Sequence, residues 1–336
     1  MLKPMAQYFL TPIVKTLVAD NGTLFREADP VNSLAKCESV MARYEDLIFM
    51  AEPQAVVEEV CRIVGVLHPQ FDFTTLDRVF QDVLKLFRGE YPGYQQCNTW
   101  YHDLKHTTAC LLAMARLMHG AWLNGLTLPE RDMALGLIAA LFHDTGYIQS
   151  DADVGGTGAK YTLVHVDRSV AFMEQYFAQA GFPSLDLDYC RCCVHCTGLN
   201  VKINEIPFKS AHHQAVGCML GTADLLGQMA DRTYLERLPF LYREFQEGKV
   251  PGFESELDLL KKTPAFWEFT QSRLVDLRNM DRYMRDHFRV WWGLDQDLNR
   301  KTIEENIAYL KFVLENHGSD YHKYLPRVGL MEILGA

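Results

Sequence analysis

Apolar positions in this chain recur at intervals of three and four residues. Leu76, Val79, Phe80, Val83 and Phe87 lie on one face at the 3.6-residue period, with Thr74 or Thr75 as a start signal and Gly89 as a stop. Cys110, Met114, Leu117 and Met118 repeat the pattern, as do Phe172, Met173, Tyr176 and Phe177, closed by Gly181. Near the C-terminus, Ile303, Ile307, Leu310 and Leu314 do so again. Residues 133–142 are apolar on every side, which predicts a fully buried helix. Alternating runs are few, and no Asn-Gly or Asp-Gly turn joins two of them. The pattern predicts an all-α protein with more than ten helices.

Three stretches interrupt the periodicity: residues 91–99, the polar and glycine-rich residues 149–162, and residues 197–210. The second reads as a mobile segment. No repeat or long charged linker divides the chain. The expectation is one domain over 1–336, with a core at about 96–235 between an N-terminal layer (1–95) and a C-terminal layer (236–336).

Composition narrows the class. Of 336 residues, 48% are hydrophobic and 23% charged, as in a globular protein with a sizeable core. A formal net charge of -10 argues against general nucleic-acid binding, while leaving room for a small anionic substrate near a local cation. The most apolar run, MALGLIAALF, is too short to span a bilayer, and the N-terminal stretch lacks a secretory pattern. Nine cysteines, an odd number, then favour reduced thiols in the cytoplasm. Oligomeric state is not legible, and a homo-oligomer is compatible with the sequence.

Candidate chemistry begins with WYHDLKHTTACLL. His102 and His106 are four apart, so they read as sharing a helix face that continues into the buried stripe. His143 and Asp144 end the buried helix, where polar groups are costly unless paired and where a helix C-terminus suits a cation. His165 opens another buried stripe, with Ser169 on its face. His195 lies in YCRCCVHCTG. Asp224 falls in an apolar helix, where its partner is a metal, Arg232 or solvent. Singly, each has an ordinary structural explanation. Together, imidazoles and carboxylates on separate helices are how a helical fold builds a hydrolytic metal site.

On these residues the chain resembles the HD superfamily of metal-dependent phosphohydrolases. YHDLKHT is similar to the YHNxxHA motif of the cyclic-nucleotide phosphodiesterase catalytic domain, and LIAALFHD to its HD element. The resemblance is specific over about residues 75–235. It implies that His106, His143, Asp144 and Asp224 hold a first metal ion, with Asp144 bridging to a second. It makes His102 the general acid for the leaving oxygen. The ligand order also resembles the binuclear HD-GYP proteins, which implies His165 and His195 at the second ion. There Cys196 takes the place of a second histidine, either as a thiolate ligand or with water in its stead. Tyr147 stands where those proteins often carry a phosphate-contacting lysine, and Lys160 is its substitute. HDTGY replaces the phosphodiesterase HDxDH, and there is no GYP tripeptide, so cyclic dinucleotide hydrolysis does not follow.

The expected activity is therefore hydrolysis of a small phosphorylated, nucleotide-like substrate by water activated at two divalent ions (Mn, Fe, Mg, Zn or Ni). The 149–162 segment would close over it. The alternatives are a binuclear-iron oxygenase on the same fold and a catalytically degenerate nucleotide-binding module. A zinc knuckle in YCRCCVHCTG fits less well. Ser184, Asp186 and Asp188 read as a helix start, and Leu185, Tyr189, Cys192 and Cys196 as one helical face. Cys37, Cys61, Cys97, Cys110 and Cys218 are scattered, so no second ligand pair completes a closed site.

Overall fold

The structure, a computed structural model, describes residues 52–326. Cys37 and residues 1–51 of the expected N-terminal layer lie outside the described residues, as do residues 327–336 of the C-terminal layer. The described residues belong to one compact unit and form an all-α bundle. Its helices are α1 (Pro53–Leu67), α2 (Thr74–Arg88), α3 (Leu104–Leu123), α4 (Glu130–Phe142), α5 (His165–Ala180), α6 (Ser184–His195), α7 (Ala211–Met229), α8 (Tyr234–Glu247), α9 (Glu256–Asp276), α10 (Arg282–Trp291) and α11 (Leu298–His317). No strand forms among the described residues; a lone bridge pairs Tyr94 with Ser150. None of these helices is long and apolar enough to cross a membrane.

The apolar stripes set the packing. Helix α3 is the axis, lying against α7, α1, α10 and α4. Its Cys110, Met114, Leu117 and Met118 are buried. Helix α4, buried almost all round, lies between α3, α7, α6 and α2. Helices α8, α9 and α11 form a further layer, joined to α7 through α11. Start signals differ in detail from the sequence reading. The α2 start is capped by Asp72, whose Oδ1 accepts from Thr74 N at 2.9 Å, and α6 begins at Ser184 without a side-chain cap.

Two expectations change here. The 149–162 segment is densely tethered rather than mobile. Asn98 Nδ2 donates to Gln149 Oε1 (2.7 Å), Gln95 Nε2 to Ser150 O (2.8 Å), and Gly158 N to Asn98 Oδ1 (2.8 Å). Glu247 takes the Thr157 amide and hydroxyl. On α6, Leu185 is 71% exposed and leaves the predicted buried face, whereas Tyr189, Cys190, Cys192, Cys193 and Cys196 are core residues.

Candidate metal centre

The site forms where α3, α5 and α7 meet the turn that ends α4. Asp103 caps α3 by accepting the His106 amide at 2.9 Å, which fixes His106 in the first turn. Contrary to the four-residue spacing, His102 precedes the helix and does not share its face; a bend brings its ring to 5.8 Å from that of His106. His143 ends α4, and its Nδ1 donates to Ala140 O at 2.7 Å, leaving the Nε2 lone pair facing inward. Ser169 holds the next turn in place: its hydroxyl donates to His143 O (2.6 Å) and accepts from Gly146 N (2.9 Å). Two glycines permit this crowding. A Cβ on Gly146 would lie 2.0 Å from His165 O, and one on Gly158 2.0 Å from Tyr147 O.

The donor atoms of His106, His143 and Asp144 lie mutually close, and Asp224 Oδ1 reaches both histidines. His106 Nε2 lies 3.1 Å from Asp144 Oδ2, 3.1 Å from Asp224 Oδ1 and 3.2 Å from His143 Nε2. His143 Nε2 is 3.4 Å from Asp144 Oδ2 and 3.6 Å from Asp224 Oδ1. Ligands each roughly 2.1 Å from one ion would be spaced roughly 3.0–3.4 Å apart as neighbours, so the spacing fits an ion. Asp144 Oδ2 is also buried and takes no hydrogen bond. Two carboxylates and two imidazoles make a donor set for a borderline or hard divalent cation. The buried His106–His143–Asp144 group could hold a metal.

The electrostatics agree. Burial disfavours the His106 cation, yet Asp144 and Asp224 raise it to about 9. His143 is likewise raised against its burial, chiefly by Asp144. Burial would raise both carboxylates, but the two histidines hold them well below the usual range. In the absence of a cation, protons take its place.

The other predicted residues divide. His165 opens α5, donates Nδ1 to Thr162 O at 2.7 Å, and directs Nε2 toward Asp144 Oδ1 at 3.7 Å. Burial lowers its pKa, keeping the ring neutral. Asp224 pairs with His106 and His143, not with Arg232 or solvent alone. Tyr147 is buried between rings, with centroids 4.4 Å from His102 and 4.7 Å from His165; it is a wall of the site. Lys160 is tied to Asp153 and Gly155 O within its own loop. His195 ends α6, where the charges that bear on it are Asp167 and Arg191, and it forms no ion pair with Asp144. Cys196 Sγ bonds back to Cys192 O at 3.4 Å, and burial raises its thiol, so it packs beside Gly217 as a core thiol.

Two functional residues escape a sequence reading. Glu244 of α8 accepts from His102 Nδ1 at 2.6 Å and from Tyr101 N at 2.7 Å. Arg237 of α8 donates to Trp100 O (3.2 Å) and Tyr101 O and pairs with Asp103 (2.9 Å), fixing the bend that carries His102. Both lie beyond residue 235, so the C-terminal layer completes the site. Their one signal is charge on the buried side of an otherwise amphipathic helix.

Comparison with known proteins adds one finding. A family model described as Npun_R2479-like matches residues 150–277, less than half of the chain. The matched span carries His165, Asp224 and Glu244 and leaves out His102, His106, His143 and Asp144. No curated protein and no solved structure matches the chain.

Proposed function

We propose that this protein is a metal-dependent phosphoric-ester hydrolase of the HD type. The observation that carries the reading is the buried His106–His143–Asp144 group, with Asp224 at 3.1 and 3.6 Å from the two histidines. When bound, a divalent ion there supplies Lewis acidity to a phosphoryl oxygen and acidifies a water. His102 stands beside this cage, with Glu244 on its Nδ1, so its Nε2 is the nitrogen that delivers a proton to the departing oxygen. Tyr147 and His165 stack against the cage and keep bulk water from that side. For a second ion, His165 and the free edge of Asp144 offer donors beside the cage. His106, His143 and Asp144, with Asp224 beside them, would hold the first ion, and Asp144 and His165 would face a second.

The test separates metal from chemistry. His102→Ala keeps its metal and loses rate on phosphoesters with poor leaving groups. Asp144→Ala loses the metal itself. A screen of phosphomonoesters and phosphodiesters with Mn, Mg, Fe, Zn and Ni reads the first, and elemental analysis of protein purified without chelator reads the second. No turnover on any ester with metal demonstrably bound would overturn the proposal.

A further inference from the structure

The site described so far binds a phosphoryl group but says nothing of what the phosphate is attached to. Trp100, two residues before His102, is 58% exposed. A tryptophan left this open is an expensive use of apolar surface unless something covers it. Its ring stacks on Phe240 of α8 with centroids 5.8 Å apart and planes 20° apart, and the Arg243 guanidinium lies 5.6 Å from the Phe240 ring centroid. Phe240 and Glu244 are four apart on α8, so they share a face about 5–6 Å apart. Glu244 holds His102, which places the Trp100–Phe240 pair one helical turn from the proton donor. Arg237 fixes the Trp100 and Tyr101 carbonyls, so the indole stands on a rigid support.

Exposed apolar residues also precede His165 in sequence. Leu163 and Val164 are 63% and 48% exposed and come just before His165, whose ring centroid lies 6.2 Å from that of His102. Exposed apolar side chains thus flank both histidines that stand at the edge of the cage.

We infer that Trp100, backed by Phe240 and Arg243, is a platform for a planar aromatic group on the phosphoryl substrate. The inference rests on the phosphoryl reading of the cage. One face of the indole is taken by Phe240 and the other is presented to the ligand. The Arg243 cation polarises the stack and favours an electron-rich ring. The protein then selects aryl or heteroaryl phosphoesters over alkyl ones, with the ring on Trp100 and the phosphate at the cage.

The test uses phenylphosphonate and methylphosphonate, whose P–C bonds resist hydrolysis, and benzyl alcohol as the ring without phosphorus. Each is titrated into the full-length, zinc-loaded protein by calorimetry. The Trp100 indole resonance is followed by NMR and assigned among the five tryptophans by its loss in Trp100→Phe. Wild type is expected to bind phenylphosphonate at least about tenfold tighter than methylphosphonate. Trp100→Ala brings the two within about threefold, and Trp100→Phe restores most of the preference. A preference that survives Trp100→Ala, or equal affinities in wild type with an unmoved indole resonance, overturns the platform and leaves the phosphoryl reading standing. Benzyl alcohol shifting the Trp100 resonance while neither phosphonate binds does the reverse.

Discussion

Away from the candidate metal centre, helix α10 is pinned to α3 by two histidines, and acid should release it. His119 Nδ1 and His287 Nδ1 lie 3.1 Å apart, and the residues are 2% and 0% exposed. One nitrogen donates and the other accepts, so the contact holds one proton and is broken by a second. The groups packed around it are Glu59 of α1, which accepts the Trp291 indole N–H at 2.8 Å, and Arg116 of α3, 5.5 Å from the Phe288 ring. Neither offers His119 a compensating bond. Burial lowers the His119 pKa to about 4, and burial with Arg116 and His119 lowers that of His287 further.

The sign follows from proton counts. Between about 4 and the unfolded value of about 6.5, the unfolded chain binds the proton and the folded chain refuses it, so stability falls as pH drops through that window. The full shift at His119 corresponds to about 3 kcal/mol, of which about 2 kcal/mol is lost by pH 5. Urea unfolding at pH 7.5 and pH 5, on wild type and His119→Gln, measures it. Wild type should lose about 2 kcal/mol more than the variant over this interval. The comparison must be a difference. His106, raised to about 9, and His143, also raised, both take up protons in the folded state, so both proteins gain stability from them as pH falls. Equal losses in wild type and His119→Gln would refute the reasoning.

Three further outcomes are expected. Glu244→Gln should keep the metal and the fold but lose part of the roughly 10²–10⁴-fold contribution of a general acid. The loss should grow with the basicity of the leaving group, which a purely structural role would not produce. Gly146→Ala should destabilise by about 1–3 kcal/mol or more, since its Cβ meets a carbonyl at 2.0 Å, and should lower metal content as the His143–Asp144 turn moves; denaturation and elemental analysis read the two effects. Cys196→Ala should leave metal content unchanged, because its thiol bonds to a helix carbonyl; a loss of metal would return it to the ligand set.

The sequence by itself determined the helices and much of the cage. The 3.6-residue stripes of α2, α3, α5 and α11 follow from amphipathic burial, which is local in sequence and so is legible there. His106, His143, Asp144 and Asp224 were also legible, because a charge at the edge of a buried stripe requires a partner, and four such charges suit a common one. Tertiary structure decided the rest. Whether His102 belongs to the α3 face depends on a cap at Asp103 and on Arg237, more than a hundred residues away, which hold a bend. Whether His195 reaches the cage depends on the direction of α6, which no spacing rule gives. The glycine-rich segment looks free in sequence because its tethers, Asn98 and Glu247, lie on other parts of the chain. Periodicity tells which side of a helix is buried, but it does not tell which other helix that side meets, and a site built from several helices is defined by those meetings.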